Sequence, residues 1–230
     1  MDPQLLKDHI TKLQEKVRRS SQKRHFGNTD IQLLAVSKTQ PAAAIRAAYT
    51  AGLRDFGENY LQEALEKMSA LEELDIFWHF IGPIQSNKTR AIAEAFTWVH
   101  SVDRVKIARR LSEQRPPTLP PLQLCLQVNT SGETSKSGVS REALLDLVEE
   151  VNPLPGLTLR GLMTVPAPEQ DPERQRIPFR RLREALESCR EIAPQMDTLS
   201  MGMSADLDAA ILEGATIVRI GSAIFGPRGR

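Results

Sequence analysis

The chain has 230 residues, and at about 150 residues per domain that length favours one sizeable domain over two small ones. Its 30 Lys and Arg against 29 Asp and Glu leave a net charge of +1, too balanced for the broad positive field of sequence-independent nucleic-acid binding, and 40% apolar residues place it outside the disordered class. Two cysteines without paired spacing, Cys125 and Cys189, suggest reduced thiols in a cytoplasmic protein, while the absence of a long apolar run argues against secretion and membrane insertion.

Residues 1–24 put Leu5, Leu6, His9, Ile10, Leu13 and Val17 at helical spacing and predict an extra N-terminal helix. Its basic residues, among them Lys12, Lys16, Arg18 and Arg19, are read as a solvated face with no assigned function. Eight short apolar runs then predict strands at 31–37, 53–56, 76–81, 97–102, 122–128, 158–163, 197–200 and 217–220. Helical patterns at 41–51, 60–74, 87–95, 103–112, 140–151, 173–192 and 205–213 fill the gaps between them. Strict alternation predicts an α/β fold with a parallel sheet, and eight units within about 250 residues is the size of a closed (β/α)8 TIM barrel spanning residues 1–230. An open doubly wound sheet is the alternative, although no G-x-G-x-x-G turn follows the first strand. The segment RPPTLPP (115–121) should be a stiff connector, and 165–178 a long loop overhanging the C-terminal end of the barrel as a candidate lid.

Lys38, in LLAVSKTQP, stands at the C-terminal end of the first strand and shares a face with Leu34 and Val36. Desolvation there would lower an ammonium pKa, and a neutral amine attacks aldehydes; an ordinary solvated lysine is the alternative. Late in the chain, LSMGMSAD and VRIGSAIFG occupy the usual phosphate position of a barrel, with Gly202 and Gly221 at close turns. Backbone amides of Gly221 and Ser222 and the Ser200 hydroxyl are candidate anion donors, against a reading of Ser204 as a helix N-cap and Gly221 as a plain turn residue. Arg219 interrupts an apolar strand and needs an acceptor, whether a structural ion pair or a ligand. An amine, an anion nest and a cation in one barrel mouth suit an aldehyde that carries a phosphate and a ring nitrogen, as pyridoxal phosphate does.

The runs AVSKTQP, FGENYLQEA, WHFIGPIQSNK, HSVD, NTSGETSKSGV, GLMTVP, LSMGMSADLDAAI and VRIGSAIFG resemble the pyridoxal phosphate homeostasis (YggS/PROSC) family, over about Ile31 to Pro227. The resemblance implies a barrel like the N-terminal domain of alanine racemase, with the cofactor held as an imine by Lys38. It also implies phosphate contacts from Ser200, the Met201 backbone, Gly221 and Ser222, with Arg219 facing the pyridine nitrogen. A permanently protonated donor there favours an unprotonated pyridine and weakens the ring as an electron sink. Racemases need a second acid/base on the opposite face, normally a tyrosine from a second domain. Here the sequence stops nine residues after Gly221, and the only tyrosines, Tyr49 and Tyr60, fall in predicted helices.

Asn59 resembles a family residue near the cofactor, yet Asn59-x-x-Gln62 also fits a capping box, the preferred reading. His79 is a candidate ring neighbour or a hydrogen-bonded core histidine, and Met163 a candidate ring contact or a core methionine. Lys136 is either a solvated loop lysine or a group that attracts the phosphate during entry. The four histidines show no ligand spacing, so no metal is expected. The expectation is a monomeric, cytoplasmic barrel that binds pyridoxal phosphate, buffers it and releases it to pyridoxal-phosphate-dependent acceptor enzymes without efficient turnover. An amino-acid racemase is the alternative, and a lysine aldolase a third.

Overall fold

In the computed structural model, which describes residues 2–24, 30–132 and 137–226, the chain alternates strand and helix from residue 32 onward. The first helix, α1 (Pro3–Ser21), starts where Asp2 accepts a hydrogen bond from the Gln4 amide at 2.9 Å and Pro3 fills the first turn. Its buried face, Leu6, Ile10, Leu13 and Val17, repeats at three- and four-residue spacing, as an amphipathic helix packed on a core requires.

The barrel elements are β1 (Gln32–Val36), α2 (Ala42–Thr50), β2 (Asp55–Glu58), α3 (Leu61–Ala70), β3 (Phe77–Phe80), α4 (Thr89–Ala95), β4 (Trp98–Val102) and α5 (Val105–Gln114). They continue with β5 (Leu122–Gln127), α6 (Leu144–Val151), β6 (Leu157–Met163), α7 (Pro172–Cys189), β7 (Thr198–Ser200), α8 (Leu207–Leu212), β8 (Ile217–Ile220) and the short α9 (Ser222–Phe225). Each strand pairs in parallel with the next, and β8 pairs with β1, Leu34 opposite Arg219, to close an eight-stranded barrel. Helix α1 packs on α8 and α9, outside the eightfold pattern.

The main core fills the layer between barrel and helices, with Phe56, Phe80, Phe96, Phe179, Ile45 and Leu111 among its members. Burying each such side chain contributes roughly 1.5–3 kcal/mol. Leu34, Cys125, Met163 and Ile217 are buried apart from that cluster. Among the described residues, no helix is long and apolar enough to cross a membrane.

Two expectations need correction. The second strand runs Asp55–Glu58 rather than 53–56, because Gly52, at φ +104°, turns the chain and the Leu53 amide still bonds the end of α2 through the Ala48 carbonyl. A search for apolar runs misses Glu58, a fully buried carboxylate. The expected lid is half as long as predicted: Asp171 caps α7 by accepting from the Glu173 and Arg174 amides at 2.9 Å, so Pro172 to Pro178 lie within the helix. The connector at 115–121 is pinned at its start, where the buried Arg115 guanidinium donates to the carbonyls of Ala93, Phe96 and Pro120.

Candidate functional site

A cavity of about 430 Å³ opens at the C-terminal end of the strands. Val36, Lys38 and Gln40 line it from the end of β1, Asn59 from beyond β2, Ile81 from beyond β3 and Val165 from beyond β6. Met203, Ser204 and Ala205 after β7, with Arg219, Gly221, Ser222 and Gly226 at the end of β8, complete the wall. The volume lies in the range of small-molecule and cofactor pockets, and the position is the functional face of a barrel.

Lys38 lies two residues beyond β1, half-buried, on the same alternation as Val36. Its neighbours are held tightly. The buried Lys67 ammonium on α3 donates to the Ser37 carbonyl at 2.8 Å, to Glu58 Oε1 at 2.7 Å and to Glu63 Oε1 at 2.5 Å. The Ser37 hydroxyl donates to Glu58 Oε1 at 2.6 Å, and the Thr39 amide to Glu63 Oε1 at 2.5 Å. Thr39 sits at φ +65°, a conformation a β-branched residue adopts only when its surroundings impose it. Burial pushes the Glu58 carboxyl up, and its bonds from Lys67 and Ser37 pull it partly back. Neither Glu58 nor Lys67 stood out in the sequence, although Glu63 and Lys67 at i, i+4 on one helix was the available signal.

Arg219 is 4% exposed, and its Nη1 donates to the Ser200 carbonyl at 2.5 Å and hydroxyl at 2.8 Å, while Nη2 donates to the Thr164 carbonyl at 2.7 Å. Among the described residues no carboxylate lies within ion-pair distance of it, so the structural ion pair is not its explanation. Burial pushes its pKa down to about 10, opposed by the field of Asp206. Gly202 makes this packing possible. At φ +92° it turns the chain out of β7, its carbonyl accepts from the Arg219 amide at 2.9 Å, and a Cβ there would sit 2.5 Å from the Ala210 methyl.

Of the residues singled out in the sequence, Lys38, Asn59, Arg219, Gly221 and Ser222 line the cavity. Four do not. Ser200 is fully buried beneath Arg219, with its hydroxyl occupied by that guanidinium and by His100, and the Met201 amide donates to the Ile217 carbonyl at 3.0 Å because β7 continues its pairing one residue further. Neither is among the residues that line the cavity. His79 is fully buried between Asp55 and His100, and Met163 is a buried strand residue opposite Ser200, so neither faces the cavity. Val165, two residues beyond Met163, lines it instead.

The capping box is also absent: Tyr60 holds the N-cap position of α3, Gln62 donates to Glu66, and Asn59 Oδ1 is buried with no hydrogen-bond partner. Ser204 is not the cap of α8 either, a position held by Asp206, and its hydroxyl lies 3.4 Å from that of Ser222. Met203, Ser204 and Ala205 are wall residues that no sequence signal marks, since in the same loop the glycine is the distinctive feature. Lys136 lies outside the described residues.

These groups fit pyridoxal phosphate on their chemistry: an amine for the aldehyde, paired hydroxyls for the phosphate, a guanidinium for the ring nitrogen, and an orphaned buried acceptor in Asn59. The fold and its cavity define an alanine-racemase-type barrel, and residues 9–229 match the family model described as alanine racemase, N-terminal domain. Alanine racemase of Corynebacterium glutamicum shares the fold with a TM-score of 0.67 at 19% identity, over 97% of this chain and 62% of that one.

Closer likeness narrows the class. The pyridoxal phosphate homeostasis protein of Pseudomonas aeruginosa is 60% identical over 221 residues, 96% of this chain and 95% of its own length, and that of Escherichia coli 52% over 202 residues, 86% of each. PipY of Synechococcus elongatus, solved with PLP bound, matches with a TM-score of 0.84 at 35% identity, over 96% of this chain and 100% of that one. The chain belongs to the pyridoxal phosphate homeostasis protein family.

Proposed function

We propose that this chain works as one domain that holds pyridoxal phosphate in the cavity, attached to Lys38, and serves to buffer and deliver it. The observation that carries the reading is the approach of a half-buried amine and a buried guanidinium to one cavity, with the hydroxyls of Ser204 and Ser222 opposite each other on its wall. When bound, the cofactor supplies an aldehyde carbon that condenses with an amine, releasing water. The chain's own residues do the rest. The Lys67 cluster fixes the turn that presents Lys38, Arg219 offers donors to the ring nitrogen, and Asn59 Oδ1 offers an acceptor. The bound cofactor in the PipY structure supports the assignment.

The reading as a carrier rather than an enzyme rests on the same wall. Lys38 and Arg219 are the ionisable side chains among the described residues that line it, and Arg219 keeps its proton at neutral pH, so a second acid/base for moving a substrate proton is missing. Tyr49 lies in α2 and Tyr60 is 56% exposed at the start of α3. A cytoplasmic, monomeric state with acceptor enzymes as partners completes the proposal, and the free thiols of Cys125 and Cys189 support the compartment.

Cofactor-loaded protein incubated with L-alanine in deuterated water should show no enzymatic exchange of the α-proton, yet should restore activity to a cofactor-free acceptor enzyme. Exchange at the roughly 1–1000 per second of ordinary enzymes would make the chain a racemase-like catalyst instead.

A further inference from the structure

The field of Asp206 reaches Arg219, but among the described residues no carboxylate lies within ion-pair distance of this buried cation, and the barrel interior holds a second route by which its charge is balanced. Behind Arg219 a line of hydrogen bonds crosses from β8 to β2. The Arg219 guanidinium donates to Ser200 Oγ at 2.8 Å, Ser200 Oγ lies 2.7 Å from His100 Nδ1, His100 Nε2 2.9 Å from His79 Nδ1, and His79 Nε2 3.0 Å from Asp55 Oδ1. Strands β4 and β7 are not neighbours in the sheet, so the bond from His100 to Ser200 crosses the inside of the barrel. Both imidazoles are fully buried, and His79 is stacked on Trp98 at 5.5 Å between ring centres. Asp55 is 19% exposed, at the rim of a second cavity at the opposite end of the barrel, where Gln32 also donates to it at 2.6 Å.

The direction of every bond in this line follows from its ends. Burial holds both histidines below their usual pKa, so each ring is neutral with one donor and one acceptor nitrogen. A carboxylate only accepts, which places a proton on His79 Nε2 and leaves its Nδ1 as acceptor. His100 then carries its proton on Nε2, and its Nδ1 accepts from the Ser200 hydroxyl. A hydroxyl that donates is a stronger acceptor in turn, and its lone pairs face Arg219. The three ionisable members lie in a row and form no metal-binding group.

We propose that Asp55, His79, His100 and Ser200 are positioning residues that act as a one-directional relay, through which the Asp55 carboxylate balances Arg219 and holds its guanidinium as a donor toward the ring nitrogen of the bound cofactor. The aim toward the cofactor rests on the function proposed above; the relay itself does not. A barrel interior is ordinarily filled with apolar side chains, and replacing a buried polar line by such packing is often neutral or stabilising, so stability alone does not account for it.

Nitrogen-15 NMR of the histidine rings in cofactor-free protein at pH 7.5 tests the relay without the cofactor. Both rings should be neutral and protonated on Nε2, and an Nδ1-protonated or doubly protonated ring would overturn it. Titration with pyridoxal phosphate, followed by absorbance, tests the positioning role. Asp55→Leu and Ser200→Ala should each bind about tenfold more weakly, with the borohydride-reduced adduct still on Lys38; Asp55→Asn, which keeps an acceptor oxygen and loses the charge, should weaken binding as well, whereas Asp55→Glu, which keeps the carboxylate, should stay within about threefold of wild type. Wild-type affinity in Asp55→Leu would refute the positioning role. A wild-type protein that binds no cofactor would refute the proposed function and leave the relay to the ring spectra alone.

Discussion

Replacing Lys67 by methionine is expected to destabilise the protein by about 3–5 kcal/mol in urea unfolding, the usual loss when one partner of a buried ion pair is removed. Methionine fills the space of the lysine stem, so the loss is electrostatic and not a cavity effect. Glu58 is fully buried, its Oε2 already lacks a partner, and without Lys67 its Oε1 keeps only the Ser37 hydroxyl. The loss depends on pH in a definite direction. Burial raises the folded-state pKa of Glu58 above its ordinary value of 4.5, so the native state binds a proton that the unfolded chain releases, and stability falls as pH rises through that window. Losing the ammonium raises the carboxyl further. The deficit of the variant should therefore be greatest near pH 8 and shrink toward pH 5. A deficit under about 1 kcal/mol, or one independent of pH, would show that the pair does not hold the Lys38 turn.

Arg219→Leu should separate binding from stability. Burial lowers the guanidinium pKa from 12.5 to about 10, a shift equivalent to about 3 kcal/mol working against the charged form in the folded protein. Leucine relieves that cost. Against it, the Thr164 carbonyl loses the guanidinium as a donor, while the Ser200 carbonyl still accepts from the Thr164 amide at 3.3 Å, so roughly one buried acceptor is left unpaired at about 1–3 kcal/mol. The two effects nearly cancel, and the melting temperature should move by only a few degrees, at about 2–4 °C per kcal/mol for a chain of this size. Affinity for pyridoxal phosphate should nonetheless fall by about tenfold or more, since a charged donor to the ring is lost. Unchanged affinity would remove Arg219 from the site, and a large loss of melting temperature would make it a structural residue. Such a residue, costly to the fold and useful to the ligand, is the expected pattern at a functional site.

Most of the architecture was legible because its signals are local. Short β-branched runs alternating with 3.6-period segments give eight strand-helix units, and a strand that ends in Lys38 or carries Arg219 announces a polar demand that an apolar sheet does not explain. The errors share a cause as well. Glu58 and Lys67 cancel one another only in three dimensions, and the Asp55 to Ser200 line joins three consecutive strands to the distant β7 across the inside of the barrel, a pairing no local pattern announces. Ser200 and Met201 lie just below the cavity wall, and sequence does not reveal how far β7 continues its pairing with β8. At Asn59 a capping signature and a cavity wall compete for the same residue, and only the orphaned Oδ1 decides between them.

Pyridoxal phosphate is proposed to bond to one particular amine, that of Lys38. Protein saturated with the cofactor, reduced with borohydride and digested, should give a single phosphopyridoxyl peptide by tandem mass spectrometry, modified at Lys38, and Lys38→Ala should give none while still folding. A reduced adduct on another lysine, or an adduct of equal yield in Lys38→Ala, would refute attachment at Lys38.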